Sequence, residues 1–372
     1  MTVRPALLAL AASVLVTSPA SATRDGCTPS APRDWSTVHP APLANGTKVL
    51  SAHRGGVNLG PQQTWEAYRA AIAYGVDNVE VDLRMSKDEQ FVVAHDEDPR
   101  SLDAHGAEVR HPVTELTAAE YTAQNAAVGN WRKTEFNPAH YLTFAQVVGL
   151  AGTYHVGLDI EFKDIGVRRD RIVEVAKAVE AAGIMDRTIW QHGLENDIVA
   201  YVRSVDAKAR FNYNIGDEPP AFLYQQASLT DYAFGSSLAE FTPDRVAAIH
   251  DGCGIALPHS YDGLDDGNAT PKETAREYDQ MRKGLAAGMD GFQTNRPDAA
   301  ADAIDRPVPS RLVRSGNRVC LVNAANGLPL PGRTIGVGKD AFRTGKGGCV
   351  ATKGRRTARF AGDGSARPAP AG

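Results

Sequence analysis

Asn78-Val79-Glu80-Val81-Asp82-Leu83 and Gly157-Leu158-Asp159-Ile160-Glu161-Phe162-Lys163 are two short runs in which apolar residues alternate with charged ones. A period of two marks a strand, because successive side chains leave opposite faces. Glu80 and Asp82 therefore share one face, with Val79, Val81 and Leu83 on the other. By the same rule Asp159, Glu161 and Lys163 lie together. On a solvated sheet these acids would be trivial. Inside a barrel they would repel, and a divalent cation is the simplest compensation.

The surrounding chain favours the barrel. Strands are expected at Val49–His53, Asn78–Leu83, Gln90–His95, Tyr154–Phe162, Arg187–Gln191, Ala209–Asn214, Tyr232–Gly235, Ile255–Pro258 and Gly288–Thr294. Helical patterns fall between them at Thr64–Tyr74, Thr143–Gly152, Arg169–Gly183, Asn196–Val205, Thr242–Asp251 and Lys272–Ala287. In the first helix the apolar positions are Trp65, Tyr68, Ala71 and Ile72. Repeated strand–helix alternation predicts an α/β fold with a parallel sheet. Polar residues end several different strands, which is where TIM-type (β/α)8 barrels build their sites. No GxGxxG or Walker loop supports a doubly wound sheet instead. Alternation fails at Leu83–Gln90, which is too short for a helix, and residues 97–142 are a long polar connection.

The 372 residues are 42% hydrophobic and 23% charged, which excludes a disordered, collagenous or disulfide-scaffold chain. Residues 1–22 carry Arg4, a short apolar core and an Ala-Ser-Ala ending, which reads as a secretory signal peptide. An extended lead-in over 23–46, a barrel over 47–300, a linker over 301–315 and a small basic β module over 316–372 complete the expected organisation. Its last dozen residues are expected to be partly disordered. No stretch is apolar for long enough to cross a bilayer.

The net charge of −4 hides an asymmetry, since residues 311–372 hold 12 Lys/Arg and only Asp340 and Asp363. That basic tail would favour an anionic cell-wall or lipid surface. The acidic remainder argues against nucleic acid. Cys27, Cys253, Cys320 and Cys349 form an even set in a chain expected outside the cell. Cys27–Cys253 and Cys320–Cys349 are the preferred pairs, because each then stays within one unit.

Further chemistry sits at strand ends. Ser51-Ala52-His53-Arg54-Gly55-Gly56 offers an imidazole beside a guanidinium, whose planar fork suits phosphate. Phe91-Val92-Val93-Ala94-His95-Asp96 delivers a second imidazole. Two histidines suit one general base and one general acid near neutral pH. Glu161 would complete a three-carboxylate set with Glu80 and Asp82, and Lys163 would neutralise substrate charge. Asp159 is open to either role, ligand or support for one. Oxygen donors of this kind favour Ca²⁺ or Mg²⁺ over zinc.

The order and nesting of His53-Arg54-Gly55, Glu80-x-Asp82, His95-Asp96, Glu161-x-Lys163 and Thr294-Asn295-Arg296-Pro297-Asp298 resembles the glycerophosphodiester phosphodiesterases over residues 47–300. The resemblance implies a TIM-type barrel with a divalent metal at its mouth. It implies His53 and His95 as the acid/base pair, Glu80, Asp82 and Glu161 as metal ligands, and Arg54 and Lys163 as phosphate contacts. The implied reaction splits a glycerophosphodiester to sn-glycerol 3-phosphate and an alcohol.

Departures concern substrate choice. Pro61-Gln62-Gln63-Thr64 stands where the family has Pro-Glu-Asn-Thr, Gln191-His192 where it has Ser-Phe, and Asn295 where it has Asp. Near Gly327-Leu328-Pro329 and Phe360-Ala361-Gly362-Asp363 the tail is similar to a bacterial immunoglobulin-like repeat. Two rival readings are a secreted phospholipase D-like or sphingomyelinase D-like enzyme and a catalytically silent wall-binding protein. The His53-Arg54 pair and Glu161 disfavour the first, and the intact cluster disfavours the second.

Overall fold

A computed structural model describes residues 48–163, 169–191, 196–215, 219–222, 232–235, 238–252, 254–260, 271–352, 357–363 and 365–369. The expected signal peptide (1–22), lead-in (23–46), Cys27–Cys253 bridge and His192 lie outside the described residues. Along the chain run β1 (Val49–Ala52), α1 (Trp65–Ala73), β2 (Asn78–Met85), β3 (Phe91–Val93), β4 (Arg100–Leu102), β5 (Glu108–Arg110), α2 (Ala118–Thr122), α3 (Phe144–Tyr154), β6 (Gly157–Phe162) and α4 (Ile172–Ala181). Then follow β7 (Ile189–Gln191), α5 (Asn196–Arg203), β8 (Arg210–Ile215), β9 (Tyr232–Gly235), α6 (Pro243–Asp251), β10 (Ile255–Ala256), β11 (His259–Ser260), α7 (Pro271–Ala286), β12 (Gly291–Thr294) and α8 (Pro297–Ala303).

The sheet runs in the order β10-β9-β8-β7-β6-β2-β1-β12-β11. Its two ends belong to one stretch of chain, interrupted at Leu257-Pro258. β10 pairs in parallel with β9 and β11 pairs in parallel with β12. Pro258 has no N–H to donate, but its carbonyl accepts from Gln293 N at 3.0 Å. The bent strand therefore closes a barrel of eight parallel strands. Both faces of β2 are buried: Val79, Val81 and Leu83 lie on one side, Glu80 and Asp82 on the other.

Local rules set the helices around this sheet. Thr64 caps α1 by accepting from Ala67 N, and Tyr68, Ala71 and Ile72 are buried as expected. Trp65 is the exception: at the first position of the helix it is 37% exposed and lines a surface cleft with His140 and Gln146. Thr143 and Gln146 form a reciprocal capping box on α3.

Where alternation fails, the chain makes a hairpin. Ser86 N donates to Gln90 O at 2.9 Å, and β3 returns antiparallel to β2. The strand expected over Gln90–His95 is thus shorter and is not a barrel strand. The long connection also holds more order than its composition signals: a β4–β5 hairpin and the capped helix α2.

The stretch read as a linker, 301–315, contains the end of α8 and a strand, β13 (Ser310–Ser315). The module continues as β14 (Arg318–Asn323), β15 (Thr334–Val337), β16 (Asp340–Arg343), β17 (Cys349–Ala351) and β18 (Ala358–Arg359). They form two three-stranded antiparallel sheets, β13-β14-β17 and β16-β15-β18. Cys320 and Cys349 face each other across β14 and β17 and are disulfide-bonded, as expected.

The module packs on the barrel flank. Tyr74 Oη donates to Pro331 O at 2.6 Å, Asn323 Nδ2 donates to Ala73 O at 2.9 Å, and Arg333 Nη2 meets Asp298 Oδ2 at 2.6 Å. Among the described residues no helix is long and apolar enough to cross a membrane.

Candidate active site

β2 and β6 pair so that Glu80 stands beside Asp159 and Asp82 beside Glu161. Glu80, Asp82 and Glu161 each offer a carboxylate oxygen, and these atoms all lie within 4.8 Å of one another. Glu80 and Asp82 are 1% and 0% exposed. Burial raises the Glu80 carboxyl above its ordinary range, and the Asp82 and Glu161 charges add to this. Glu161 is raised by burial and by Asp82, against an opposing pull from Lys163.

Two cations of the chain answer these charges. Lys163 Nζ lies 3.0 Å from Asp82 Oδ1 and 2.6 Å from Glu161 Oε1. Burial pulls Lys163 down, but Asp82 and Glu161 outweigh it and hold the ammonium charged. The Arg54 guanidinium Nε is 3.9 Å from Asp82 Oδ2. Two buried carboxylates and a half-buried third against these two cations fit a small hard cation held by oxygen. Glu80, Asp82 and Glu161 are the residues that would hold it.

β1 delivers His53 and Arg54 to the same place. Arg54 has φ 49°, an uncommon conformation for a residue with a side chain. It turns the Arg54 N–H onto Glu80 Oε2 at 2.6 Å. The substituted Gln62 and Gln63 serve this cluster: Gln62 Oε1 accepts from Arg54 Nη1 at 2.9 Å, and Gln63 Nε2 donates to Asp82 Oδ2.

His53 Nδ1 pairs with Asn295 Oδ1 at 2.7 Å. Burial, then Arg54 and His259, hold the His53 pKa well below the usual imidazole range, so the ring is neutral at pH 7. His95 reaches the site from the hairpin, where Ala94 N donates to Asp82 O at 2.9 Å. Its Nδ1 lies 2.8 Å from Asp96 Oδ1. The His95 charge acts on both His53 and Glu161. The structure therefore brings together all seven residues singled out by sequence.

Asp159 takes the supporting role. Its carboxylate accepts from Ser51 Oγ, Gln191 Nε2 and Gln293 Nε2 at 2.9, 2.8 and 2.8 Å. Burial raises its pKa to about 6, against those three hydrogen bonds. This ties β1, β7 and β12 to β6 beneath the acidic triad. His259 is a residue that sequence reasoning missed. Its ring centroid is 6.1 Å from that of His53, and its pKa is pushed down to about 3 by burial, then by Lys163 and Arg54. A lone histidine in Pro258-His259-Ser260 carries no pattern that could have marked it.

Comparison with known proteins agrees with this geometry. The model of the Glycerophosphoryl diester phosphodiesterase family matches residues 53–251. A glycerophosphodiester phosphodiesterase of Caldanaerobacter subterraneus subsp. tengcongensis is 29% identical over 265 residues, covering 69% of this chain and 97% of that protein. The uncharacterized protein YqiK of Bacillus subtilis is 29% identical over 145 residues, or 38% of this chain, and the match spans only 56% of that relative's length. Among solved structures, an Oleispira antarctica phosphodiesterase in complex with the product sn-glycerol-3-phosphate shares the fold. It superposes with a TM-score of 0.54 at 18% identity, over 69% of this chain and 96% of that one.

Proposed function

Since the chain belongs to the glycerophosphoryl diester phosphodiesterase family, we propose that it hydrolyses glycerophosphodiesters to sn-glycerol 3-phosphate and an alcohol. The observation that carries this reading is the meeting of Glu80, Asp82 and Glu161 within 4.8 Å, with two imidazoles set beside them. The Oleispira antarctica structure, which holds sn-glycerol-3-phosphate, supports the substrate class.

The oxygen donors support Ca²⁺ or Mg²⁺ as the bound ion. When bound, such an ion supplies fixed positive charge for the phosphate oxygens. Arg54 and Lys163 bind and orient the phosphate, and their charges oppose the negative charge that builds as the P–O bond breaks.

The two histidines divide the proton work. With Asn295 Oδ1 accepting from His53 Nδ1–H, the lone pair of His53 sits on Nε2, so His53 is the base. It removes the proton from the nucleophile, either water, which gives sn-glycerol 3-phosphate directly, or the neighbouring glycerol hydroxyl, whose cyclic phosphate water then opens. His95, held with its Nδ1 2.8 Å from Asp96 Oδ1, is then the acid. It returns a proton to the leaving alkoxide.

The leader at residues 1–22 supports export, and the excess of Lys/Arg over acids in 311–372 supports contact with an anionic wall or lipid surface. The test is incubation with glycerophosphocholine and detection of sn-glycerol 3-phosphate. Wild type is expected to release it, and His53→Ala and His95→Ala to lose at least about a hundredfold in kcat while remaining folded. Choline or ceramide phosphate released from sphingomyelin instead would overturn the substrate assignment. Near-normal turnover in either variant would overturn the mechanism.

A further inference from the structure

β10 and β11 are the two halves of one bent strand, and His259 is where that strand leaves the core. Ile255, Ala256 and Leu257 are fully buried, whereas His259 is partly exposed. β11 pairs with β12 so that His259 stands beside Gln293. In-register neighbours in a sheet share a face, and Gln293 Nε2 donates to Asp159 Oδ2 at 2.8 Å inside the barrel. His259 is therefore on the interior face at the C-terminal end of its strand, where such barrels place reacting groups.

The catalytic groups are its neighbours there. The His259 ring centroid is 6.1 Å from that of His53, with the rings tilted by 31°. The charges of Lys163, Arg54 and Asp82 all act on His259, and His259 acts on His53 more strongly than His95 does. His259 thus stands on the His53 side of the acidic cluster. The proposed reaction leaves it without a task, since His53 and His95 move the protons and Arg54 and Lys163 hold the phosphate.

The chemistry of the ring narrows the ligand. Burial, then Lys163 and Arg54, keep it neutral at pH 7, so it carries one N–H and one lone pair. A neutral ring adds no charge to hold a phosphate. It does match an alcohol hydroxyl, which donates one hydrogen bond and accepts another. Position then selects the half of the substrate. The alcohol leaves beside the acid, His95, while the glycerol half stays on phosphorus, so the base side is left for glycerol. Two imidazoles 6.1 Å apart can each reach a different hydroxyl of one diol, at hydrogen-bond lengths of roughly 2.7–3 Å.

We propose that His259 binds the terminal hydroxyl of the glycerol half, the one that takes no part in the reaction, and so sets the preference for glycerol at that position. The inference rests on the proposed function, which puts the phosphate between His53 and His95.

The test compares glycerophosphocholine with 2-hydroxypropyl phosphocholine of the same configuration, which keeps the hydroxyl next to the phosphate ester and lacks the terminal one. Wild type should prefer glycerophosphocholine by about tenfold or more in kcat/KM, mostly through KM. In His259→Ala that preference should shrink to within about threefold, through loss on glycerophosphocholine. His259→Leu, which refills most of the volume of the ring, should lose the preference in the same way, and it decides the matter if the alanine variant does not fold. Equal losses on both substrates would make His259 a support for His53 and overturn the inference. A preference that survives the substitution, or is absent from wild type, would overturn it too. Each of these outcomes leaves the proposed function standing. If wild type hydrolyses neither substrate, the proposed function fails and the role of His259 falls with it.

Discussion

Asn295 holds the His53 ring through one hydrogen bond. Its neutral amide meets His53 Nδ1 at 2.7 Å, in a place where burial and Arg54 already disfavour the imidazolium. Asn295→Asp would put a carboxylate there and raise the His53 pKa. A base must be neutral to act, so the acidic limb of the kcat/KM profile should move to higher pH in this variant. Asn295→Ala should lower kcat without that move. A pH–rate series checks both, and an unmoved limb in Asn295→Asp would contradict the assignment of His53 as base.

The acids and Lys163 were legible at this scale, because alternation alone assigns them to one face. The Asn295 contact was not, since it joins residues 242 apart in sequence and no local pattern encodes such a distance.

The strands that carry these residues depend on close backbone approach. Gly157 begins β6, and a Cβ there would overlap the Arg187 carbonyl oxygen and crowd the Asn78 side chain. Gly157→Ala should cost roughly 1–3 kcal/mol or more and loosen Glu161 at the far end of the strand. Gly149, exposed within α3, has open space where a Cβ would sit, with no neighbouring atom within 4 Å. Gly149→Ala should therefore stabilise by roughly 0.5–1 kcal/mol. Urea unfolding of the pair checks the signs, and equal effects would contradict this account of β6.

Strongly periodic elements such as α4 and β2 were readable from pattern. β13 and β16 were not. Ser310–Ser315 and Asp340–Arg343 are mostly half-buried or exposed, so neither has a clean apolar face to read. His95 shows the same limit in another form: its delivery by a hairpin off β2 depends on the turn at Ser86–Gln90.

At the scale of the whole molecule, the joint between barrel and module rests on Asp298 and Arg333, whose side chains are 5% and 13% exposed. Burial alone would raise the Asp298 carboxyl, but Arg296 and Arg333 overcome it and hold the pKa well below the carboxylate range. A depressed folded pKa gives stability that is present above the unfolded value, about 3.9, and lost as pH falls below it. Asp298→Asn should remove that acid-side slope. It should also cost roughly 3–5 kcal/mol near neutral pH, because it strands buried arginine charge. Unfolding measured from pH 3 to pH 7 tests this, and a slope unchanged from wild type would contradict it. The charge difference between tail and remainder signalled two units, but charge counts carry no information about where one docks on the other.

The central claim is that one divalent ion is gathered by acids from β2 and β6. Calorimetric titration of the metal-stripped protein with Ca²⁺ and with Mg²⁺ tests it most directly. The account predicts one ion bound per chain in wild type, a loss of at least tenfold in affinity in Glu161→Gln and in Asp82→Asn, and no change in His95→Ala. Binding that survives intact in both carboxylate variants, or no binding in wild type, would contradict it.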